Sequence, residues 1–147
     1  MDKEQSMSKY TPRDYQLDIN KAAIEYFASN SRGKLILPCG AGKTLSSMWI
    51  AQSLKSRSIL VCVPSLALLR QFKDVWLNSI KTEFDYLCVC SEKDIDKDHD
   101  DLNININEID KKPTRVTNNL ERICDFIKLN SNSDFIIYST YQSLDLV

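Results

Sequence analysis

The three glycines of the chain all fall between Gly33 and Gly42, and two of them, Gly40 and Gly42, stand immediately before Lys43 and Thr44. The stretch Leu37-Pro-Cys-Gly-Ala-Gly-Lys-Thr44 has the residue types of a phosphate-binding loop. Gly40 and Gly42, with Ala41 between them, let successive backbone N–H groups turn inward toward phosphate oxygens. A helix starting at Lys43 would add the positive end of its dipole. Lys43 would then reach β- and γ-phosphates, and Thr44 would offer its hydroxyl to a Mg²⁺ ion bridging them. The chemistry implied is binding of a nucleoside triphosphate with Mg²⁺. Leu37 occupies the first glycine position of the pattern G-x-x-x-x-G-K-[ST], so an ordinary glycine-containing turn before a helix is the competing reading. A strand and a helix expected on either side favour phosphate binding.

Those flanking elements follow from periodicity. Arg13 to Ser29 places Tyr15, Ile19, Ala22, Ala23, Tyr26 and Phe27 at helical spacing after Thr11-Pro12. Lys34 to Leu37 is a short apolar run that predicts a strand, and Lys43 to Leu54 predicts the helix after the loop. Ser58 to Val63 is a continuous β-branched and apolar run, as in a strand covered on both faces. Leu66 to Ile80 keeps Leu69, Phe72, Trp76 and Ile80 in helical register, and Phe84 to Cys90 predicts the next strand. Asn118 to Leu129 and Asp134 to Tyr138 predict a further helix and a buried strand. The alternation predicts an α/β fold with a mostly parallel sheet flanked by helices.

Composition bounds the rest. The chain has 147 residues, 43% hydrophobic and 27% charged, as in one ordinary globular domain. Its net charge of −1 hides an uneven distribution. Residues 83–110 hold ten acids and two lysines, so the remainder is basic. No apolar run approaches the length of a membrane span, and the polar amino terminus lacks the apolar core of a secretory signal, so no membrane partner and a cytoplasmic location are expected. Five cysteines, none paired at the spacing of a zinc or redox motif, read as reduced thiols. Residues 91–119 are rich in Asp and Asn and read as an acidic variable loop, with Asn103 to Asn107 a candidate short edge strand. The alternating acids Asp94 to Asp100 resemble a calcium loop, yet His99 and Asn105 stand where glycine and glutamate are required, so a solvated loop is preferred.

Taken in order, the motifs resemble the first RecA-like domain of superfamily two helicases and translocases, particularly the DEAD/DEAH-type helicase domains of restriction systems. Pro12-Arg-Asp-Tyr-Gln16 resembles the glutamine motif and Leu37 to Thr44 resembles motif I, where a leading glycine is not required. Val63 to Gln71 resembles motif Ia, and Tyr138 to Ser143 resembles the segment that precedes the DEAH box. The resemblance implies a P-loop NTPase fold, ATP with Mg²⁺ as cofactors, and DNA as partner. It implies that Gln16 reads the adenine edge, that Gly40, Ala41, Gly42, Lys43 and Thr44 hold the nucleotide, and that Ser65, Thr140 and Gln142 contact a DNA strand. The competing readings are a surface glutamine at 16, a plain helix cap at Ser65 and turn chemistry at 140 and 142. Trp49 and Trp76 read as core packing rather than as base platforms.

No DEAD, DEAH or similar acidic pair follows an apolar strand anywhere in the sequence. In the family these acids hold Mg²⁺ and orient the attacking water, so no catalytic residue is identified and hydrolysis by these residues alone is not expected. The expectation is a partial helicase ATP-binding domain that stops short of the motif II strand. Residues 10–90 carry the first motifs, residues 91–119 the acidic loop, and residues 120–147 a helix and strand leading toward the missing box. The other helicase segments could come from another chain. An open sheet edge is expected where the absent strands would pair. The alternatives are a stand-alone nucleotide-binding module or a remnant of a split helicase gene. An unrelated P-loop phosphotransferase ranks last, because no substrate site or carboxylate base is visible.

Overall fold

The computed structural model describes residues 10–80, 84–90 and 115–147. They form two compact units, residues 10–56 with 75–80 and residues 57–74 with 84–90 and 115–147.

In the first unit, helix α1 (Asp14–Phe27) follows the extended residue Arg13. The Gln16 side chain turns back so that its Oε1 accepts from Arg13 N at 3.0 Å. This closes the first turn as in half of a capping box, since a guanidinium has no acceptor with which to return the bond. Asp14 in the first turn suits the helix dipole. At the other end Asn30 Nδ2 donates to Tyr26 O at 2.8 Å and satisfies a last-turn carbonyl. Helix α2 (Lys43–Ser53) starts directly after Gly42 and ends just before Lys55, whose φ of 54° is left-handed. Asn20 Nδ2 donates to Ser53 Oγ at 2.9 Å and fastens α1 to α2.

The strand expected over Lys34 to Leu37 is not formed. The segment is irregular, with Leu35 and Ile36 exposed at 47% and 78%. The described residues of this unit include no strand, and an apolar run of three residues, Leu35 to Leu37, becomes a strand only where a neighbour supplies the hydrogen-bonding ladder.

The second unit is built on strands β1 (Ser58–Val63), β2 (Asp85–Val89), β3 (Val116–Thr117) and β4 (Phe135–Thr140). Helix α3 (Leu66–Leu77), whose last three residues belong to the first unit, follows β1, α4 (Leu120–Leu129) precedes β4, and a 3-10 turn (Tyr141–Leu146) follows β4. The sheet order is β1-β4-β2-β3 and every pairing is parallel. This is the parallel sheet with helical connections expected of a RecA-like fold. The register runs from Ser58 opposite Phe135 to Val63 opposite Thr140, and from Asp85 opposite Phe135 to Val89 opposite Ser139. The carboxyl ends of β1, β4 and β2 are therefore aligned. Central β4 is buried from Ile136 through Thr140, whereas edge strand β1 leaves Leu60 at 49% exposure. The outward edge of β1 has no strand beside it among the described residues.

Side chains alternate across this sheet. Leu87, Val89 and Ile137 pack with Ile123 of α4, joined by Phe126, Phe135 and Leu146. Phe126 and Phe135 meet edge to face at 5.6 Å. On the opposite face Tyr86 and Tyr138 are edge to face at 6.4 Å. Arg115 lies 4.2 Å from the Tyr86 ring centroid while its Nη1 pairs with Asp85 at 2.8 Å.

Val116 and Thr117, read from sequence as part of a loop, form β3 through pairing with Cys88 and Val89. Two residues are too few to show a period, so only the partner strand reveals them. The acidic run from Asp94 to Asp100 and the candidate edge strand from Asn103 to Asn107 lie outside the described residues.

Candidate functional site

The loop before α2 is assembled in the first unit from residues of α1, the glycine segment and the first turn of α2. Gly40 and Gly42 both take left-handed backbone, with φ of 78° and 73°. Ala41 N donates to Pro38 O at 3.3 Å, closing a turn between them. Left-handed residues flanking a residue of ordinary φ give the alternation that gathers successive N–H groups into an anion nest. A Cβ on Gly40 would meet nothing within 4 Å, so the concavity beside it is open. A Cβ on Gly42 would lie 2.6 Å from Gln16 Nε2 and would have to displace that amide, while the φ of 73° strains any side chain there.

Lys43 is exposed and its Nζ reaches back to donate to Pro38 O at 2.9 Å, which carries the ammonium to the other end of the loop. Thr44 is half-buried, and its hydroxyl has no protein partner among the described residues. Its carbonyl is well occupied, accepting from Ser47 Oγ at 2.9 Å and from Trp76 Nε1 at 2.9 Å. The open space at Gly40, the free amides that start α2, a flexible ammonium and an available hydroxyl form a donor set suited to a triphosphate and its Mg²⁺.

Gln16 is 5% exposed, beneath the loop. Its Nε2 donates to Ala41 O at 3.2 Å and to Ser46 Oγ at 3.5 Å, and its Oε1 accepts from Arg13 N. The carboxamide thus braces the loop against α1. Tyr15 OH, adjacent on α1, donates to the same Ala41 carbonyl at 3.0 Å. Tyr15, Ser46 and Trp76 were not singled out for this site from the sequence. Tyr15 neighbours Gln16 in the glutamine motif, but nothing in the sequence connects Trp76 with Thr44.

The residues expected at DNA lie in the second unit, along the aligned carboxyl ends of β1 and β4. Ser65 follows β1 and is half-buried, its Oγ accepting from Leu68 N at 3.3 Å as a cap of α3. Gln142 is exposed in the 3-10 turn after β4. Thr140 is fully buried and its hydroxyl donates to Ser143 Oγ at 3.3 Å, so in this structure it offers no exposed atom to a strand. Tyr141 projects beside it at 57% exposure. Cys62 lies one residue before the end of β1, and burial pushes its thiol pKa up. Trp76 is buried at 2% and Trp49 is half-buried, so both pack against protein as expected.

The parallel sheet, the strand-to-helix alternation and the ordered motifs define a RecA-like domain of the superfamily two helicase class. The chain belongs to the family described as Type III restriction enzyme, res subunit, whose model matches residues 9–146. Over 91 residues, 58% of this chain, it is 31% identical to the TFIIH basal transcription factor complex helicase/translocase XPB subunit of Trypanosoma brucei brucei (strain 927/4 GUTat10.1). The ATP-dependent Type ISP restriction-modification enzyme LlaBIII bound to DNA superposes with a TM-score of 0.76 at 26% identity, over 95% of this chain. A nuclease-deletion mutant of the Type ISP enzyme LlaGI, in complex with a DNA substrate mimic, gives 0.72 at 29% identity over 94%. The chain spans only 9% of the trypanosomal protein, 9% of LlaBIII and 13% of LlaGI. The resemblance to the N-terminal part of a superfamily two helicase domain is borne out.

Proposed function

We propose that this chain binds Mg-ATP at Gly40 to Thr44 and associates with DNA as the N-terminal part of a helicase or translocase motor. The observation that carries the reading is the paired left-handed conformation of Gly40 and Gly42 immediately before α2, with Lys43 folded across the loop. The N–H groups of the loop and of the first turn of α2 bind phosphate oxygens. Lys43 would exchange Pro38 O for the β- and γ-phosphates, and the Thr44 hydroxyl would be the protein's ligand to Mg²⁺. Gln16 is assigned to the adenine edge, trading its bonds to Ala41 and Ser46 for the base. When bound, Mg²⁺ neutralises phosphate charge.

No motif II acidic pair occurs in this sequence, so the activity proposed for these residues alone is binding. DNA association is carried over from the two structural neighbours, both seen with DNA or a mimic of it. Ser65 and Gln142, at the exposed carboxyl edge of β1 and β4, are assigned to strand contacts, with Thr140 and Ser143 shaping the turn that carries Gln142. Calorimetric titration of Mg-ATP into the wild-type chain and into Lys43→Ala tests the reading. Saturable binding lost in the variant supports it, and identical behaviour of the two proteins overturns it.

A further inference from the structure

The first turn of α2 holds an interaction that its own helix does not require. Thr44 O accepts from Ser47 Oγ within the helix, and it also accepts from the indole Nε1–H of Trp76 at 2.9 Å, across 32 residues of sequence. Trp76 is 2% exposed and belongs to the same compact unit as the loop. A buried indole needs an acceptor for its N–H. Here the acceptor is the peptide of the residue whose side chain stands at the metal position. An indole has only two side-chain torsions, so a buried one fixes its partner at little entropic cost. Holding the Thr44 carbonyl fixes that peptide plane and with it the direction of the Cα–Cβ bond from which the Thr44 hydroxyl extends.

We propose that Trp76 is a positioning residue for the Mg-nucleotide site, aiming the Thr44 hydroxyl through its backbone. The role rests on the Mg-ATP reading above and adds a residue that the loop motif does not contain. It accounts for the 2.9 Å bond that the buried Trp76 N–H gives to the Thr44 carbonyl. It also separates two parts of the site: Lys43 and the loop amides answer to the phosphates, whereas Trp76 answers to the metal ligand alone. Removing the N–H therefore weakens binding of ATP with Mg²⁺ more than binding of ATP in EDTA.

The test uses the full chain in a Trp49→Phe background, which leaves Trp76 as the single tryptophan. Position 76 is then changed to Phe, or filled with benzothienylalanine, which keeps the bicyclic shape and lacks the N–H. The expected result is a loss of Mg-ATP affinity of about 5- to 10-fold, the worth of one hydrogen bond, with ATP affinity in EDTA unchanged. Amide exchange at Leu45 to Met48 rises in the nucleotide-free benzothienylalanine protein, while exchange in α1 stays as it was. In the parent, Trp76 fluorescence shifts on adding Mg-ATP. Equal Mg-ATP affinity with and without the N–H overturns the positioning role and leaves the ATP reading standing. So does a parallel loss with and without Mg²⁺ accompanied by a lower melting temperature, which marks a purely structural tryptophan. Failure of the parent to bind Mg-ATP at all overturns the ATP reading and this role together.

Discussion

Gln16 Nε2 occupies the space that a side chain at Gly42 would need, 2.6 Å from where its Cβ would lie, while donating to the neighbouring Ala41 carbonyl at 3.2 Å. One amide thereby excludes a side chain from the loop and fixes the loop's backbone. Gly40 and Gly42 share a left-handed backbone but differ in surroundings, and substitution separates the two causes. Gly40→Ala is expected to cost about 1–2 kcal/mol from backbone strain alone. Gly42→Ala carries that strain and also displaces Gln16, and is expected to cost at least about 1 kcal/mol more. Adding Gln16→Ala to Gly42→Ala relieves the steric part only. Urea denaturation of the wild type, Gln16→Ala, Gly42→Ala and the double variant measures this cycle, and additive costs at 16 and 42 would contradict the coupling.

ATP turnover by the purified chain is expected at background, because the proposed reading assigns Lys43 and Thr44 to binding and the sequence carries no motif II acidic pair to position water. Lys43→Ala is expected to reduce Mg-ATP affinity by at least about 10-fold, the loss of a charge-assisted contact, with an unchanged far-ultraviolet spectrum. A phosphate-release assay with both proteins is the check. Robust turnover that disappears in Lys43→Ala would show that the missing acids are supplied within these residues.

The core of the sheet is expected to answer sharply to cavities. Ile137 packs among Leu87, Val89 and Ile123 at 3% exposure, so Ile137→Ala should destabilise by about 2–5 kcal/mol. Leu60, paired with Ile137 but on the edge strand and half-exposed, should cost no more than about 1 kcal/mol on the same truncation. Paired urea titrations rank the two.

Stability is expected to fall at high pH through Tyr138. Burial, reinforced by the charges of Cys88, Tyr86 and Asp74, holds its phenol well above the usual tyrosine value of 10. Above about pH 10 the unfolded chain releases this proton and the folded chain keeps it. The unfolded state then binds fewer protons, and stability declines with rising pH by up to about 1.4 kcal/mol per unit. Below pH 10 both states hold the proton and this group adds no slope. Tyr138→Phe should remove its share of the slope, as read from melting temperatures between pH 8 and 11.

DNA binding is expected to weaken steeply with salt, since phosphate contacts release counterions. Gln142→Ala should lower affinity several-fold, by about 0.5–1.5 kcal/mol. Thr140→Val should act chiefly on stability, because its hydroxyl is fully buried against Ser143. Fluorescence anisotropy of a labelled oligonucleotide at several salt concentrations measures both, and an unchanged affinity in Gln142→Ala would remove it from the contact surface.

Local chemistry made much of this protein legible in advance. Glycine is tolerated at φ near +75° where other residues are strained, so Gly40 and Gly42 before Lys43-Thr44 announced a special loop without any partner. Continuous β-branched runs announced β1 and β4, but the double-sided cover that such runs imply is met only by central β4, while edge strand β1 leaves Leu60 half-exposed. Ordered motifs then carried the family. What the sequence could not decide depended on who stands beside whom. Leu35 and Ile36 have strand composition but no ladder, whereas Val116 and Thr117 lack a readable pattern and gain one by pairing with β2. Thr140 has the same hydroxyl whether buried or exposed, and only the packed sheet turned it inward toward Ser143. Trp76 is any core tryptophan until the folded chain brings Thr44 O within 2.9 Å of its N–H. Backbone preference and hydrophobic period are properties of a segment; strand partners, burial and long-range hydrogen bonds are properties of pairs that only the tertiary structure creates.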